Sequence, residues 1–526
     1  MKIDYDLVNQ CFFNRDKRLR KYRVYRNLYY RGTSDGSPAK INRIFGEVND
    51  IAAMIYSPDN IILELVTENE ISDLQQKIAD KLQEKVKNNF FNKRLDNITS
   101  QVVTNALIDG TRFIKIIWTG NGVDYREIAP ENIGVVYEGL PIENINQVFT
   151  HRTYLTERQV EHFYPKTYRK IKKQSTTATE SQDSLAGLVL SQTQAAETPS
   201  RDAFELTPKA AMPVYQSDEL YYYDYDTSTW HRALFIEKQL VNIKDTGLKF
   251  HPFFTICPIP KGSSIYGMSI IELLKTIQHY RMQRIDEIDQ AIPALLDPPL
   301  IAQGYSLDRD RLEADKENLS TPGGIFIIDG QGIKIDPYLP KLDIPLAMEM
   351  IGYYDEQTTY ITGLNEIMMG KPTKNVRSEG YANMLAEFAS APLKRQAHRI
   401  ESQFEEVFTT TAELFQINDD TTYKTRVNNT DYSFILSELT ADYRVEIYAH
   451  TASPITTTNN INLILKLAQA DIIPPDILVY ILPLPYKNRI EKHIKTMQIQ
   501  KAKAEALGAV QEAKKRTEKK KGGEHG

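Results

Sequence analysis

The sequence predicts an α+β protein, mainly helical. Three observations carry that expectation. Ile41, Ile44, Val48, Ile51 and Ile55 recur at three- and four-residue steps, the spacing of an amphipathic helix. Residues 111–118 and 123–128 are β-branched and aromatic runs about a Gly120-Asn121-Gly122 turn, a hairpin signal. Two long helical stretches, near 268–296 and 343–362, enclose a short α+β piece.

The elements follow in order. Residues 1–100 read as mostly helical. Ser57-Pro58-Asp59 ends the first amphipathic helix, and further helices are expected over 71–91 and 96–107, the latter ending near Gly110. After the hairpin, strands are expected at 135–137 and 147–154, then a short helix over 156–163 closed before Pro165. Residues 170–212 are rich in Ser, Thr, Gln and Ala with weak periodicity, and read as a flexible insertion. Residues 220–225 and 231–237 flank Asp226-Thr227-Ser228-Thr229 as a second hairpin.

Ser269 with Glu272 three residues on reads as a capping box opening a long helix. Leu274, Ile277, Ile285, Ile288, Ile292 and Leu295 line one side of it, and Pro293 with Asp297-Pro298-Pro299 stops it. Residues 325–328 and 333–335 flank Asp329-Gly330-Gln331-Gly332 as a third hairpin. Asp343 caps the second long helix, and Gly363 takes its C′ position. Its expected packing stripe is Ile344, Ala347, Met348, Ile351 and Tyr354 or Thr358, with Glu349, Asp355 and Glu356 partly off it. A polar loop over 363–378 leads to a very long helix over 378–415, bent at Pro392. Strands near 422–449 follow, then helices near 458–470, 475–482 and 488–515, and a Lys-rich tail at 514–521.

Composition narrows the function. In 526 residues, 64 Lys and Arg face 69 Asp and Glu, a net charge of −5. Overall charge alone therefore does not hold the protein on nucleic acid. Two cysteines, Cys11 and Cys257, are too few for a disulfide framework or a cysteine-rich zinc site. The N-terminus has a basic run over 15–31 where a leader would be apolar. The most apolar tract, 461–485, is broken by Lys466, Asp471 and Pro474-Pro475. The chain reads as soluble, made in a reducing cytoplasm, with no membrane partner.

No active site is legible. Gly370-Lys371 is followed by Pro372, and Asn365 stands where a phosphate loop needs its first Gly. No His-Glu-x-x-His or Cys-x-x-Cys occurs. The carboxylate pairs Asp286 with Asp289 and Glu405 with Glu406 fall on expected helices, and a solvated helix face explains them without the convergence a metal nuclease needs. The expectation is a non-enzyme with no catalytic residue, no metal site and no cofactor.

An ordered set of short motifs is more specific. It comprises Ile128-Ala129-Pro130-Glu131-Asn132, Thr156-Glu157-Arg158-Gln159-Val160 with Tyr164-Pro165, His251-Pro252-Phe253, Tyr266-Gly267-Met268-Ser269, Thr321-Pro322-Gly323-Gly324 and Arg377-Ser378-Glu379-Gly380. Each alone is common. In this order, around paired long helices, they resemble the portal proteins (head-to-tail connectors) of tailed bacteriophages, over about 35–510. The resemblance implies a mainly helical portal fold. The wing would be 1–265 with 379–450, and the 170–212 insertion has no clear counterpart. The stem helices would be 268–296 and 343–362, the clip 297–342, the tunnel loop 363–378, the helical crown 453–515 and a disordered tail 516–526.

It also implies a function: a ring, a dodecamer in the virion, at one capsid vertex, through which double-stranded DNA is packaged and ejected. The implied partners are the terminase large subunit, then neck or adaptor proteins, with the major capsid and scaffold proteins. The protein would be made in the host cytoplasm and reside in the virion. DNA-facing tunnel-loop residues would be Met368, Met369, Lys371, Lys374, Asn375 and Arg377, whose repeated cations give weak, non-specific phosphate contacts. Glu349, Asp355 and Glu356 would line the channel, where a mixed or acidic wall lets the duplex slide. Asp308, Asp310, Arg311, Glu313 and Lys316 are the clip residues expected to meet partners. The basic segments 15–31 and 514–521 leave DNA, scaffold, capsid or no partner open. Two competing readings are another neck, tail or baseplate structural protein and a nucleic-acid-processing enzyme of a mobile element. The missing phosphate loop and metal cluster argue against the enzyme.

Overall fold

A computed structural model describes residues 3–58, 61–67, 71–177, 214–262, 264–296, 300–303, 334–337, 343–364, 391–427 and 430–447. The α+β expectation holds within them. The N-terminal part is helical: α1 (Tyr5–Cys11), α2 (Arg15–Arg31) and α3 (Arg43–Ile55), then after strand β1 (Leu63–Thr67) come α4 (Asp73–Asn92) and α5 (Leu95–Asp109). The Asn42 side chain caps α3 by accepting from the Phe45 N–H, and Ile44, Val48, Ile51 and Ile55 are buried at the expected spacing. Ile41 lies before that cap and is exposed. Gly110, at φ +93°, ends α5 in the left-handed conformation that glycine adopts without cost.

Two antiparallel sheets follow. The smaller has the order β3-β2-β9, from β2 (Arg112–Trp118), β3 (Val123–Ile128) and β9 (Phe253–Ile256). The larger has the order β4-β5-β6-β7-β8, from β4 (Ile133–Val135), β5 (Phe149–Thr156), β6 (Val214–Asp224), β7 (Thr229–Ile236) and β8 (Gln239–Asp245). The strand expected at 135–137 lies two residues earlier. The second hairpin is longer than its apolar runs, and β8 extends it with a pattern too polar to read as a half-buried strand. Helix α6 (Glu157–Phe163) carries a full capping box between Thr156 and Gln159. Its successor α7 (Pro165–Thr177) corrects the reading of 170–177 as part of a flexible insertion. Pro165 does not only close α6; it opens α7, at the position where its missing N–H costs nothing.

Two long helices leave this body and return to it: α8 (Ile270–Leu296) and α9 (Ile344–Thr362). Helix α8 continues through Pro293 instead of stopping there, since in the last turn the ring forfeits one hydrogen bond. Asp343 caps α9 by accepting from the Leu346 N–H at 3.1 Å, and Gly363 ends it at φ +74°, both as expected. At the far end, β10 (Leu300–Gln303) pairs antiparallel with β11 (Lys334–Pro337). Strand 334–337 thus partners 300–303, whereas its expected partner 325–328 lies outside the described residues.

Helix α10 (Ala391–Asn418) then crosses the body, and Pro392, the expected bend, sits at the edge of its described part. Strands β12 (Tyr423–Val427), β13 (Thr430–Phe434) and β14 (Tyr443–Ile447) follow, and β14 pairs with β1, Leu63 opposite Ile447. One core joins α2–α5, α10, β1 and β14, with Tyr56 stacked on Phe404 (4.7 Å) and Phe90 edge-on to Phe408 (5.3 Å). A second, aromatic core of Phe113, Phe149, Tyr221, Trp230, Phe253 and Tyr266 joins the sheets. The expected helices of 453–515 lie outside the described residues.

Candidate functional site

The helix pair α8–α9 and its root are the candidate site. The root is built from two of the motifs singled out above. Ser269 accepts from the Ile271 N–H at 3.0 Å and donates to the Ile108 carbonyl in the last turn of α5, so one hydroxyl ties α8 to α5. The reciprocal half of the expected capping box is absent. Glu272 instead meets Lys21 of α2 at 2.8 Å. Burial would raise the Glu272 carboxyl, but the hydrogen bonds from Lys21 and Tyr25 and the Lys21 charge hold it below the usual carboxylate range. A Cβ on Gly267 would come within 2.5 Å of the Gly110 carbonyl oxygen and 2.6 Å of that of Ile259. Only glycine lets these backbones pass so closely.

His251 locks the aromatic core beside this root. Its Nε2–H donates to the Ile142 carbonyl at 2.8 Å, and its Nδ1 accepts from the Phe253 N–H at 3.2 Å. Trp230 stands edge-on to its ring at 4.7 Å. Burial pushes its pKa down to about 4, so the ring is neutral.

The pair is antiparallel. Leu274, near the start of α8, and Leu364, just past α9, share the body core, while β10 and β11 pair at the opposite end. Along its length Tyr280 stacks on Tyr354 at 6.3 Å, and Arg281 Nε donates to Asp355 at 2.8 Å. Arg43 of α3 also pairs with Asp355, and Gln278 donates to the Ile41 carbonyl at 3.0 Å. Lys40 sits 2.6 Å from Asp289 and 3.2 Å from Asp286, so this carboxylate pair meets one lysine.

The inward stripe of α9 is Ala347, Ile351, Tyr354, Thr358 and Thr362. Met348, expected in that stripe, is exposed, because it lies about 100° around the helix from Ala347. Leu346, Tyr353 and Tyr360 are exposed with it, as are Leu296 and Tyr280 on α8. Of the acidic residues named above, Glu349 and Glu356 are exposed, while Asp355 is half-buried between Arg281 and Arg43. Met368, Met369, Lys371, Lys374, Asn375 and Arg377 lie outside the described residues. So do Asp308, Asp310, Arg311, Glu313 and Lys316.

The basic run 15–31 is helix α2, and its inward cations are spoken for. Arg26 lies between Asp109 and Glu131, 2.8 Å from each, and Arg18 lies 2.7 Å from Glu138. Burial would raise the Glu131 carboxyl, but Arg26 overrides it and holds it low. Glu131 belongs to the Ile128–Asn132 motif, so that motif anchors α2.

One string escapes the sequence reading. Gly32-Thr33-Ser34-Asp35-Gly36 spells a nucleophile-elbow pattern, but it follows a helix on a bend, not a strand entering a helix. Among the described residues, no group of three or more His, Cys, Asp or Glu is placed to hold a metal ion, and no helix is long and apolar enough to cross a membrane. Both cysteines are buried, and burial pushes the Cys11 thiol up to about 12.

No curated protein matches the chain. The family model described as phage SU10 portal protein matches residues 49–477. That span contains both sheets, the helix pair with its root, and α10. Most of the length and both helices of the pair lie within the match, while their partners Lys21, Lys40 and Arg43 precede it, and the chain belongs to the phage SU10 portal protein family.

Proposed function

We propose that this chain forms a closed ring at one capsid vertex, a dodecamer in the virion, through which double-stranded DNA is packaged and ejected. The observation that carries the reading is the exposed apolar face of α8–α9 in a chain of a portal family. A ring closes when one surface of each subunit meets a different surface of the next. Leu346, Tyr353 and Tyr360, at seven-residue steps along one side of α9, supply apolar area for such a contact. The exposed Glu349 and Glu356 suit a channel wall, where negative charge repels phosphate and lets the duplex slide. Asp355 acts there by holding α9 to α8 and α3.

The tunnel loop, with Lys371, Lys374 and Arg377 flanked by Met368, Met369 and Asn375, supplies weak phosphate contacts from each subunit. The clip residues Asp308, Asp310, Arg311, Glu313 and Lys316 meet the terminase large subunit during packaging and the neck or adaptor protein afterwards. The ring is non-enzymatic, uses no cofactor, and is made in the host cytoplasm among capsid and scaffold proteins.

Negative-stain imaging with native mass spectrometry of the purified chain is the test. A ring with a central channel is expected, and a monomer with nuclease or ATPase activity overturns the reading. Within rings, neutralising Lys371, Lys374 and Arg377 should lower DNA packaging or retention, and wild-type efficiency would remove the loop from the DNA path. Deleting 308–317 should weaken terminase and adaptor binding, and intact binding would end the clip assignment.

A further inference from the structure

We infer that the outward face of α7 is a second DNA-binding surface, engaging the phosphate backbone of double-stranded DNA outside the channel. Helix α7 carries Lys166, Arg169, Lys170, Lys172 and Lys173 and no Asp or Glu. Lys166, Arg169 and Lys170 stand at i, i+3 and i+4, so they share one face, and all three are exposed. The opposite face is fixed: Tyr168 and Ile171 are buried against Val160 of α6 and Ile236 of β7. The helix therefore presents its cations from a packed base. Lys172 is drawn toward the flank, where it donates to the Tyr168 hydroxyl at 3.1 Å.

Exposed cations without an ion pair among the described residues also stand on the outward face of α2 (Lys17, Arg20 and Arg23), but α2 carries Asp16, whereas α7 carries no acidic residue. The inward cations of α2 each have a partner, and on α4 the exposed Lys77 pairs with Asp80 and the half-buried Lys81 with Glu84. Lys166, Arg169 and Lys170 have no carboxylate within ion-pair distance among the described residues. Three like charges held on one face repel one another, and an anionic partner relieves that cost. A phosphate backbone needs only positive charge at such spacing, so binding is expected to be independent of base sequence. The proposal takes from the portal reading only the identity of the polyanion, the DNA that the ring carries.

The test is anisotropy of a labelled duplex titrated with the full-length protein at several salt concentrations, beside the variant Lys166→Gln/Arg169→Gln/Lys170→Gln. Particle size of both proteins is measured separately, so a failure of ring formation is read independently of DNA binding. Three phosphate contacts give a log–log salt slope of about −2.7 per engaged face. The variant should form the same particle, bind at least about tenfold more weakly at low salt, and lose that slope. Equal affinity and slope in the two proteins overturn the proposal. So does a loss confined to Lys17→Gln/Arg20→Gln/Arg23→Gln on the outward face of α2. Polyglutamate bound as tightly as DNA, with the same dependence on α7, would reassign the face to an acidic protein.

Discussion

Helices α10 and α9 show how differently one chain can treat two long helices. Helix α10 buries Leu393, Ala397, Ile400, Phe404, Val407, Phe408, Ala412, Leu414 and Phe415, nearly a full apolar stripe, against α3, α4, β14 and the sheet. Helix α9 buries Ala347, Thr358 and Thr362, all small, and leaves Leu346, Met348, Tyr353 and Tyr360 in solvent. The first helix is complete within a subunit. The second is held to its neighbour by a tyrosine stack and an Arg281–Asp355 bond, and its apolar groups wait for another surface. Helical stability comes mostly from packing an amphipathic face. By that measure α10 belongs to the folding of the chain, and in the proposed ring α9 belongs to assembly.

The largest effect that sharpens this contrast is expected at Phe404. It is fully buried and stacks on Tyr56 and Phe408. Phe404→Ala should cost about 3–5 kcal/mol, because the surrounding helices collapse only partly into the cavity. Urea unfolding reads this as a lower midpoint, and an unchanged midpoint would mean that α10 is not the keystone of the body.

An effect of similar kind, but dependent on pH, is expected at His251. Its folded pKa of about 4 lies below its ordinary 6.5. The unfolded chain therefore takes up the proton first. The contribution is full above pH 6.5 and is lost as pH falls from 6.5 toward 4. At pH 5 the loss is about 2 kcal/mol, approaching about 3 kcal/mol below pH 4. Comparing wild type with His251→Gln isolates it, since the variant should lack this part of the acid sensitivity between pH 7 and 5. A wild-type curve parallel to that of the variant would show that the ring titrates normally and is not sealed in the aromatic core.

The body was more legible in the sequence than the site. Ile44, Val48, Ile51 and Ile55 announced α3 by spacing, and Asp343 and Gly363 announced both ends of α9, because capping is local chemistry. Partners distant in the chain were not legible. Ser269 looked like half of a capping box with Glu272, yet Glu272 went to Lys21. No local pattern shows an ion pair across 251 residues. Strand β8 was missed because Leu240 and Ile243 face solvent on an edge strand, so its alternation carries no burial signal. The cations of α7 stood in plain view, but reading 170–212 as one insertion cut the helix in half. The motifs that suggested the family turned out to be joints: Gly267 and Ser269 root α8, His251 keys the aromatic core, and Glu131 holds α2.

The smallest effect on the subunit, and the most telling for the comparison, is expected at Leu346 and Tyr360. Both are exposed, and neither side chain has a ring stack, ion pair or hydrogen bond among the described residues. Leu346→Lys with Tyr360→Lys should therefore change subunit stability by no more than about 0.5 kcal/mol. If a neighbouring subunit covers them, the same change places two charges in an apolar contact repeated around the ring. Losing a central aromatic anchor at an interface typically costs about 2 kcal/mol or more. Native mass spectrometry should then find small species at concentrations where the wild type is a ring, with unfolding midpoints unchanged. Rings of wild-type size and yield would break the comparison at its root, because they would show that the apolar face of α9 meets solvent in the assembled state and that subunits associate elsewhere.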